Sequence, residues 1–260
     1  MKTLMAFSGG LDSTYLAYRV LRETDDELHL FWMDLSQIRR DVKGESISFY
    51  GEQIEAERIA SLRVWTWLDT HARTVASYEI VTDVLPRNYP KDFPMGNGRG
   101  WRVFPMLRKA AELVKRDRLD RFIYAKSPEN IRSPGQEGRD KFYHDWWNQH
   151  VPSATFEKPL LDAWQGRPHA IQALPKELRA LTIGCNRASV VNGEPVVCGK
   201  CDKCSLSAEA EKLLTAGSDP DTALDYLLRL RHAGPYIDFL IPGDKRFGAD
   251  LPAPSPTMVS

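Results

Sequence analysis

The chain predicts an α/β fold: an open, mostly parallel five-stranded sheet flanked by helices, with a small C-terminal cysteine-bearing and helical region. Three observations carry that prediction. Short apolar runs alternate with amphipathic stretches of helical period along the first two thirds of the sequence. A glycine-rich turn joins the first such run to the first helix. All four cysteines then cluster late in the chain, at positions 185, 198, 201 and 204.

The elements come in this order. Leu4 to Phe7 reads as the first strand, and a helix from Leu11 shows Leu11, Tyr15, Tyr18 and Leu21 on one face. Leu28 to Met33 is the second strand, closing at Asp34. Gly44 to about Thr70 reads as helix, because Ile47, Ile54, Leu62, Trp65 and Leu68 recur near a 3.6-residue period. Ser77 to Val84 is the third strand. Pro86 to Gly100, rich in Pro and Gly, is an irregular connection and a candidate binding loop. Trp101 to Lys115 is amphipathic helix, Phe122 to Ala125 the fourth strand, and Asp140 to His150 a short aromatic helix. Phe156 to Leu161 is the fifth strand, although Pro159 suits an edge or a strand end. Helical turns over Arg167 to Leu181 lead into the cysteines. Leu206 to Leu214 and Asp221 to Leu230 close the series, the latter with Ser218 or Asp219 as cap and Pro220 in its first turn.

The turn after the first strand reads Ser8-Gly9-Gly10-Leu11-Asp12-Ser13. Two glycines let the backbone turn tightly and approach a ligand. The next helix aims its N–H groups and the positive end of its dipole at whatever sits there. Ser8 and Ser13 add hydroxyl donors. This is an anion cradle suited to a phosphate chain. It lacks the Lys of a Walker A loop and the third glycine of a dinucleotide fingerprint.

At these residues the chain resembles the N-type ATP pyrophosphatases, the PP-loop family, whose signature is Ser-Gly-Gly-x-Asp-Ser on the first strand–helix turn. The resemblance implies an adenine nucleotide α-hydrolase-like sheet and cleavage of ATP to AMP and pyrophosphate with Mg²⁺. It implies that Ser8, Gly9, Gly10, Leu11, Asp12 and Ser13 hold ATP, with Asp12 and Ser13 acting in catalysis. Asp34, with Ser36 and Gln37, would lie by the nucleoside, or would simply be a polar strand end facing water. Arg99 and Arg102 sit where a guanidinium would meet pyrophosphate or a substrate carboxylate, or else are solvated arginines. Lys126, just after the fourth strand, is placed as a catalytic cation for the phosphates.

The cysteines are spaced C-x12-C-x2-C-x2-C, as Cys185, Cys198, Cys201 and Cys204. Two x2 gaps make a tight knuckle, and Cys185 closes a tetrahedron around Zn²⁺. An iron–sulfur cluster and unliganded thiols are the alternatives; the x3-Cys-Pro ending of bacterial ferredoxins is absent. With all four sulfurs used, zinc here is structural and keeps no open position.

The loop and the knuckle together resemble 7-cyano-7-deazaguanine synthases from about Lys2 to Glu211. That resemblance implies adenylation of the carboxylate of 7-carboxy-7-deazaguanine, attack by ammonia to the amide, and passage to the nitrile in queuosine synthesis. It also implies a homodimer, which Leu224, Leu227, Leu228 and Leu230 would seal if they are not core. The match fails between the ends. Asn97-Gly98-Arg99 only partly matches a Pro-x-Arg-Asn loop. Ala125-Lys126-Ser127-Pro128-Glu129-Asn130 replaces Gly-x-Asn-x-x-Asp, and Tyr143-His144-Asp145-Trp146-Trp147 replaces the segment that meets the base. Asp140, His144 and Asp145 are polar candidates there, with His144 read as scaffold. One of Trp146 and Trp147 is expected in the core and the other at a pocket or interface, since neighbours on a helix point about 100 degrees apart. Diverged relatives that pass the activated group to another acceptor, a protein amine included, tRNA-modifying PP-loop enzymes, and a degenerate, non-enzymatic nucleotide-sensing or assembly module are the competing readings.

The expected organisation is a nucleotide-binding α/β domain over 1–180, a knuckle and helical region over 181–242, and a tail over 243–260. Lys plus Arg equals Asp plus Glu at 35 each, so no global field favours nucleic acid or a membrane surface. The first residues lack the apolar region of a signal peptide, and no 18-residue apolar run occurs. The cytoplasm is the expected location.

Overall fold

The structure is a computed structural model and describes residues 1–34, 39–42, 45–48, 51–82, 103–130 and 136–231. Its centre is a five-stranded sheet in which every pairing is parallel: β1 (Lys2–Ala6), β2 (Glu27–Asp34), β5 (Ser77–Thr82), β6 (Arg121–Ile123) and β7 (Thr155–Glu157). The spatial order is β5-β2-β1-β6-β7. Helices α1 (Leu11–Glu23), α2 (Gly51–His71), α3 (Val103–Asp117) and α4 (Gln136–His150) link successive sheet strands.

Parallel strands are covered on both faces, and their side chains divide with period two. Met5, Leu28, Leu30 and Ile123 join the α1 and α2 side, together with Leu178, Leu206 and Leu227 from later helices. Leu4, Phe31 and Phe122 join the α3 and α4 side. The order reverses at β1, whose neighbours β2 and β6 are reached on opposite sides. In open sheets that reversal opens a crevice beyond the carboxyl ends of the strands. At the other end, Thr3 Oγ1 and Arg121 Nη2 donate to Asp26 Oδ2 at 2.9 and 2.5 Å. Burial pushes the Asp26 carboxyl up, but these two partners outweigh it and hold it below the usual carboxylate range.

Two sequence expectations are corrected, and one open alternative is decided. The helix read from Gly44 begins at Gly51; Glu45–Ser48 is a strand, β4, paired antiparallel with β3 (Arg39–Val42), so Ile47 belongs to a hairpin. The fifth strand stops at Glu157, because Pro159 takes the first turn of a short helix, α5 (Pro159–Asp162), where its missing N–H costs nothing. Leu224, Leu227 and Leu228 are core residues of α9 (Pro220–Arg231), leaving only Leu230 of that set exposed. Asp219 does cap α9: its carboxylate accepts the Thr222 N–H at 3.0 Å. Between them lie α6 (Arg167–Ala173), α7 (Lys176–Leu181), the hairpin β8 (Ser189–Val191) and β9 (Glu194–Val196), and α8 (Asp202–Thr215). Among the described residues no helix is long and apolar enough to cross a membrane.

Candidate active site

The glycine-rich turn lies at the sheet reversal. Gly9 adopts φ +66°, and a Cβ there would sit 2.6 Å from Ser61 Cα and 2.7 Å from Ala60 C. The turn is therefore pressed against the backbone of α2. Gly10 is the N-cap of α1 and carries no side chain to cap it. The first helical bond runs from Thr14 N–H to Gly10 O at 2.9 Å, so the helix ladder does not use the N–H groups of its first turn, which lie at the positive end of the dipole. Ser13 Oγ donates to Gly10 O at 3.0 Å and lies 3.1 Å from Ser8 Oγ. The Gly10 N–H points to Ser8 Oγ at 3.3 Å. Both hydroxyls thus brace the loop they were expected to serve. Leu11 is buried in the core and anchors the helix start.

The segment after β6 closes the other side of the crevice. Ser127 Oγ donates to Asp12 Oδ2 at 3.3 Å. Lys126, buried, forms an ion pair with Asp140 Oδ2. Glu129 is buried against Gly166, where a Cβ would fall 2.6 Å from its Cδ, and it accepts the Arg167 N–H at 2.6 Å. Burial pushes the Glu129 carboxyl up, and the charge of Asp12 adds to that push. Arg167, itself buried, donates through Nη1 to Ser207 Oγ at 2.7 Å.

Asp34 ends β2, half-buried, on the opposite side of β1 from β6. Ser36, Gln37, Arg99, Arg102 and the connection over 86–100 lie outside the described residues. Asp145 is exposed and pairs with Lys141 at 2.7 Å, away from Lys126. His144 packs its ring 4.8 Å from that of Phe156, and burial followed by the charge of Lys158 lowers its pKa. It is scaffold. Trp147 is wholly buried, stacked on Phe122 at 5.3 Å, and donates Nε1–H to Ala154 O at 2.7 Å. Trp146 is half-buried, 5.2 Å from the Phe104 ring.

The four cysteine sulfurs all lie within 4.8 Å of one another. Cys185 and Cys201 are 3.8 Å apart, and Cys201 and Cys204 are 3.5 Å apart. A tetrahedron of thiolates about 2.3 Å from one ion has edges of about 3.8 Å, so the tetrad is shaped for a metal. Backbone N–H groups of Asn186, Arg187 and Cys198 point at the sulfurs at 3.3–3.4 Å. The knuckle also touches the phosphate cradle. Ile183 N–H donates to Gly9 O at 3.0 Å, two residues before Cys185, and Ala56 and Ala60 of α2 pack against Ile183, Cys185 and Cys201.

Sequence reasoning assigned no role to Ser127, Glu129, Arg167 or Lys158. Lys158 was legible in principle: it comes immediately after β7, where ligands of a parallel sheet collect.

No family model matches the chain, and no curated protein matches its sequence. The solved structures that the chain matches include two at low similarity. One is the U34-tRNA thiolase NcsA from Methanococcus maripaludis with its [4Fe-4S] cluster, at 16% identity and TM-score 0.47, over 100% of this chain and 78% of that one. The other is PH1313 from Pyrococcus horikoshii Ot3, at 12% identity and TM-score 0.32, over 69% of this chain and 40% of that one. Likeness at this level says nothing about chemistry.

Proposed function

We propose that the chain is an AMP-forming ATP-dependent ligase. It would bind ATP at Ser8–Ser13 and transfer the adenylyl group to a carboxylate of a second substrate. One observation carries this reading: a glycine-capped helix start, with Asp12 against Ser127 and next to Lys126, lies at the reversal of a wholly parallel sheet. The carboxylate oxygen bonds to the α-phosphorus and the α–β bridging bond breaks, releasing pyrophosphate. Ammonia then attacks the acyl carbon, expels AMP and loses a proton, leaving the amide. Asp12 would help to hold Mg²⁺, which would neutralise charge on the phosphates. The N–H groups of the loop serve the charge that grows on the leaving group, and Lys126 adds to it.

The finer reading takes 7-carboxy-7-deazaguanine and ammonia as substrates, with amide or nitrile as product, and structural Zn²⁺ on Cys185, Cys198, Cys201 and Cys204. The close sulfur packing supports a single ion, since a four-iron cube spreads its thiolates over separate irons. A second reading, a PP-loop enzyme that modifies tRNA, is favoured by one contact only. The bond from Ile183 to Gly9 brings the cysteine tetrad beside the phosphates.

The test is pyrophosphate release from ATP and Mg²⁺ with 7-carboxy-7-deazaguanine and ammonium, with mass analysis of the product. Wild type should release pyrophosphate, and Asp12→Ala and Ser13→Ala should lose at least about a hundredfold in rate while staying folded. Release that needs tRNA and ignores the carboxylate would favour the second reading.

A further inference from the structure

Lys158 carries a charge that the fold leaves poorly served. Its side chain is 10% exposed. An ammonium has three N–H donors, yet among the described residues no acceptor lies within hydrogen-bonding distance of Nζ. Among the described residues its one ionic neighbour is Asp140 Oδ2 at 3.9 Å, beyond hydrogen-bond range and already paired with Lys126. The Phe156 ring centroid is 6.0 Å away, and the nearby His144 is depressed toward its neutral form. The stem is buried while Nζ keeps a narrow opening, so the ammonium depends on water or a ligand for its hydrogen bonds. Nothing in the backbone relaxes it either: the Lys158 carbonyl is held by the Leu161 and Asp162 N–H groups at 2.9 and 3.0 Å, and Pro159 fixes the turn.

The placement gives this charge a use. Lys158 comes after β7 and Lys126 after β6, so both ammonium groups stand beyond the carboxyl ends of adjacent parallel strands. β7 is two strands from β1, roughly 10 Å across the sheet from the phosphate cradle and away from Asp34 on β2. We propose that Lys158 is an oxyanion-binding residue of the active site, which completes its missing hydrogen bonds on an acid group held beside the Lys126–Asp140 pair. The oxyanion comes either from the acid group of the second substrate or from the departing pyrophosphate. The inference rests on the reading of Ser8–Ser13 as the ATP site.

Titration calorimetry on the full chain tests it with two probes, magnesium pyrophosphate and 7-carboxy-7-deazaguanine. Lys158→Met should weaken one probe about ten- to a hundredfold, the loss expected for a charged hydrogen bond. Its thermal midpoint should hold or rise, because an apolar chain replaces a buried charge. Lys158→Gln is read in parallel for binding, and Lys158→Arg should restore part of it. Loss confined to pyrophosphate identifies the leaving group as the ligand; loss confined to the deazaguanine identifies the second substrate. Unchanged affinity for both probes, or no affinity of the wild type for either, overturns the inference. Ser13→Ala separates the two readings. If it loses ATP affinity while Lys158→Met changes nothing, only the role of Lys158 fails; if it keeps ATP affinity, the nucleotide site itself fails.

Discussion

At the scale of single residues, Gly9 shows how local and distant demands meet. Its φ of +66° suits a glycine, and the space a Cβ would need is filled by Ala60 and Ser61. Gly9→Ala should lower stability by about 1–3 kcal/mol and suppress pyrophosphate release further than that loss explains. Thermal melts run beside the rate measurement check it, and a variant of native stability and rate would count against the packing argument. The sequence motif alone calls for glycine here. The identity of the wall cannot be read from it, because Ser61 is brought to Gly9 by a crossover and not by neighbouring sequence. Lys126 was legible as a residue at a strand end. Its partner Asp140, fourteen positions on and across a helix start, was not.

At the scale of elements, the strand–helix alternation was readable because each strand and helix repeats its own period. The misses fall where a short apolar run has two readings. Within Glu45–Ser48, Ile47 stands in helical register with Ile54, yet the segment pairs as a hairpin. A turn signal did mark the other hairpin: Asn192 and Gly193, with φ of +52° and +79°, form the two-residue connection between β8 and β9. Trp146 and Trp147 divided as helix geometry requires. Trp147 joins α4 to β6, β7 and the loop before β7, so Trp147→Ala should cost about 3–5 kcal/mol, read from denaturant unfolding. Trp146→Ala, at a half-buried position, should cost clearly less; equal losses would contradict this division.

At the scale of the whole molecule, the cysteine tetrad and the glycine turn proposed to hold phosphate are one assembly. Ile183 ties the cradle to Cys185, α2 packs under both, and Arg63 Nη1 meets Glu194 Oε2 of the β9 strand at 2.5 Å. On the proposal that the tetrad holds zinc and the turn holds ATP, removing the metal with a chelator, or Cys201→Ser, should lower the thermal midpoint and weaken ATP binding together. Calorimetry before and after zinc is restored measures both. Metal-free protein that keeps its midpoint and its ATP affinity would show that the tether transmits nothing. What the sequence by itself determined is local in origin: the parallel α/β class, the glycine turn over Ser8–Ser13 at the first strand–helix junction and the close spacing of the cysteines. These depend on residue order and period within a few turns of chain. Only the tertiary structure decided that the order reverses at β1, that Glu129 is buried against Gly166, and that Lys126 and Lys158 share Asp140. Those outcomes depend on which faces pack, and packing joins residues that no local period relates.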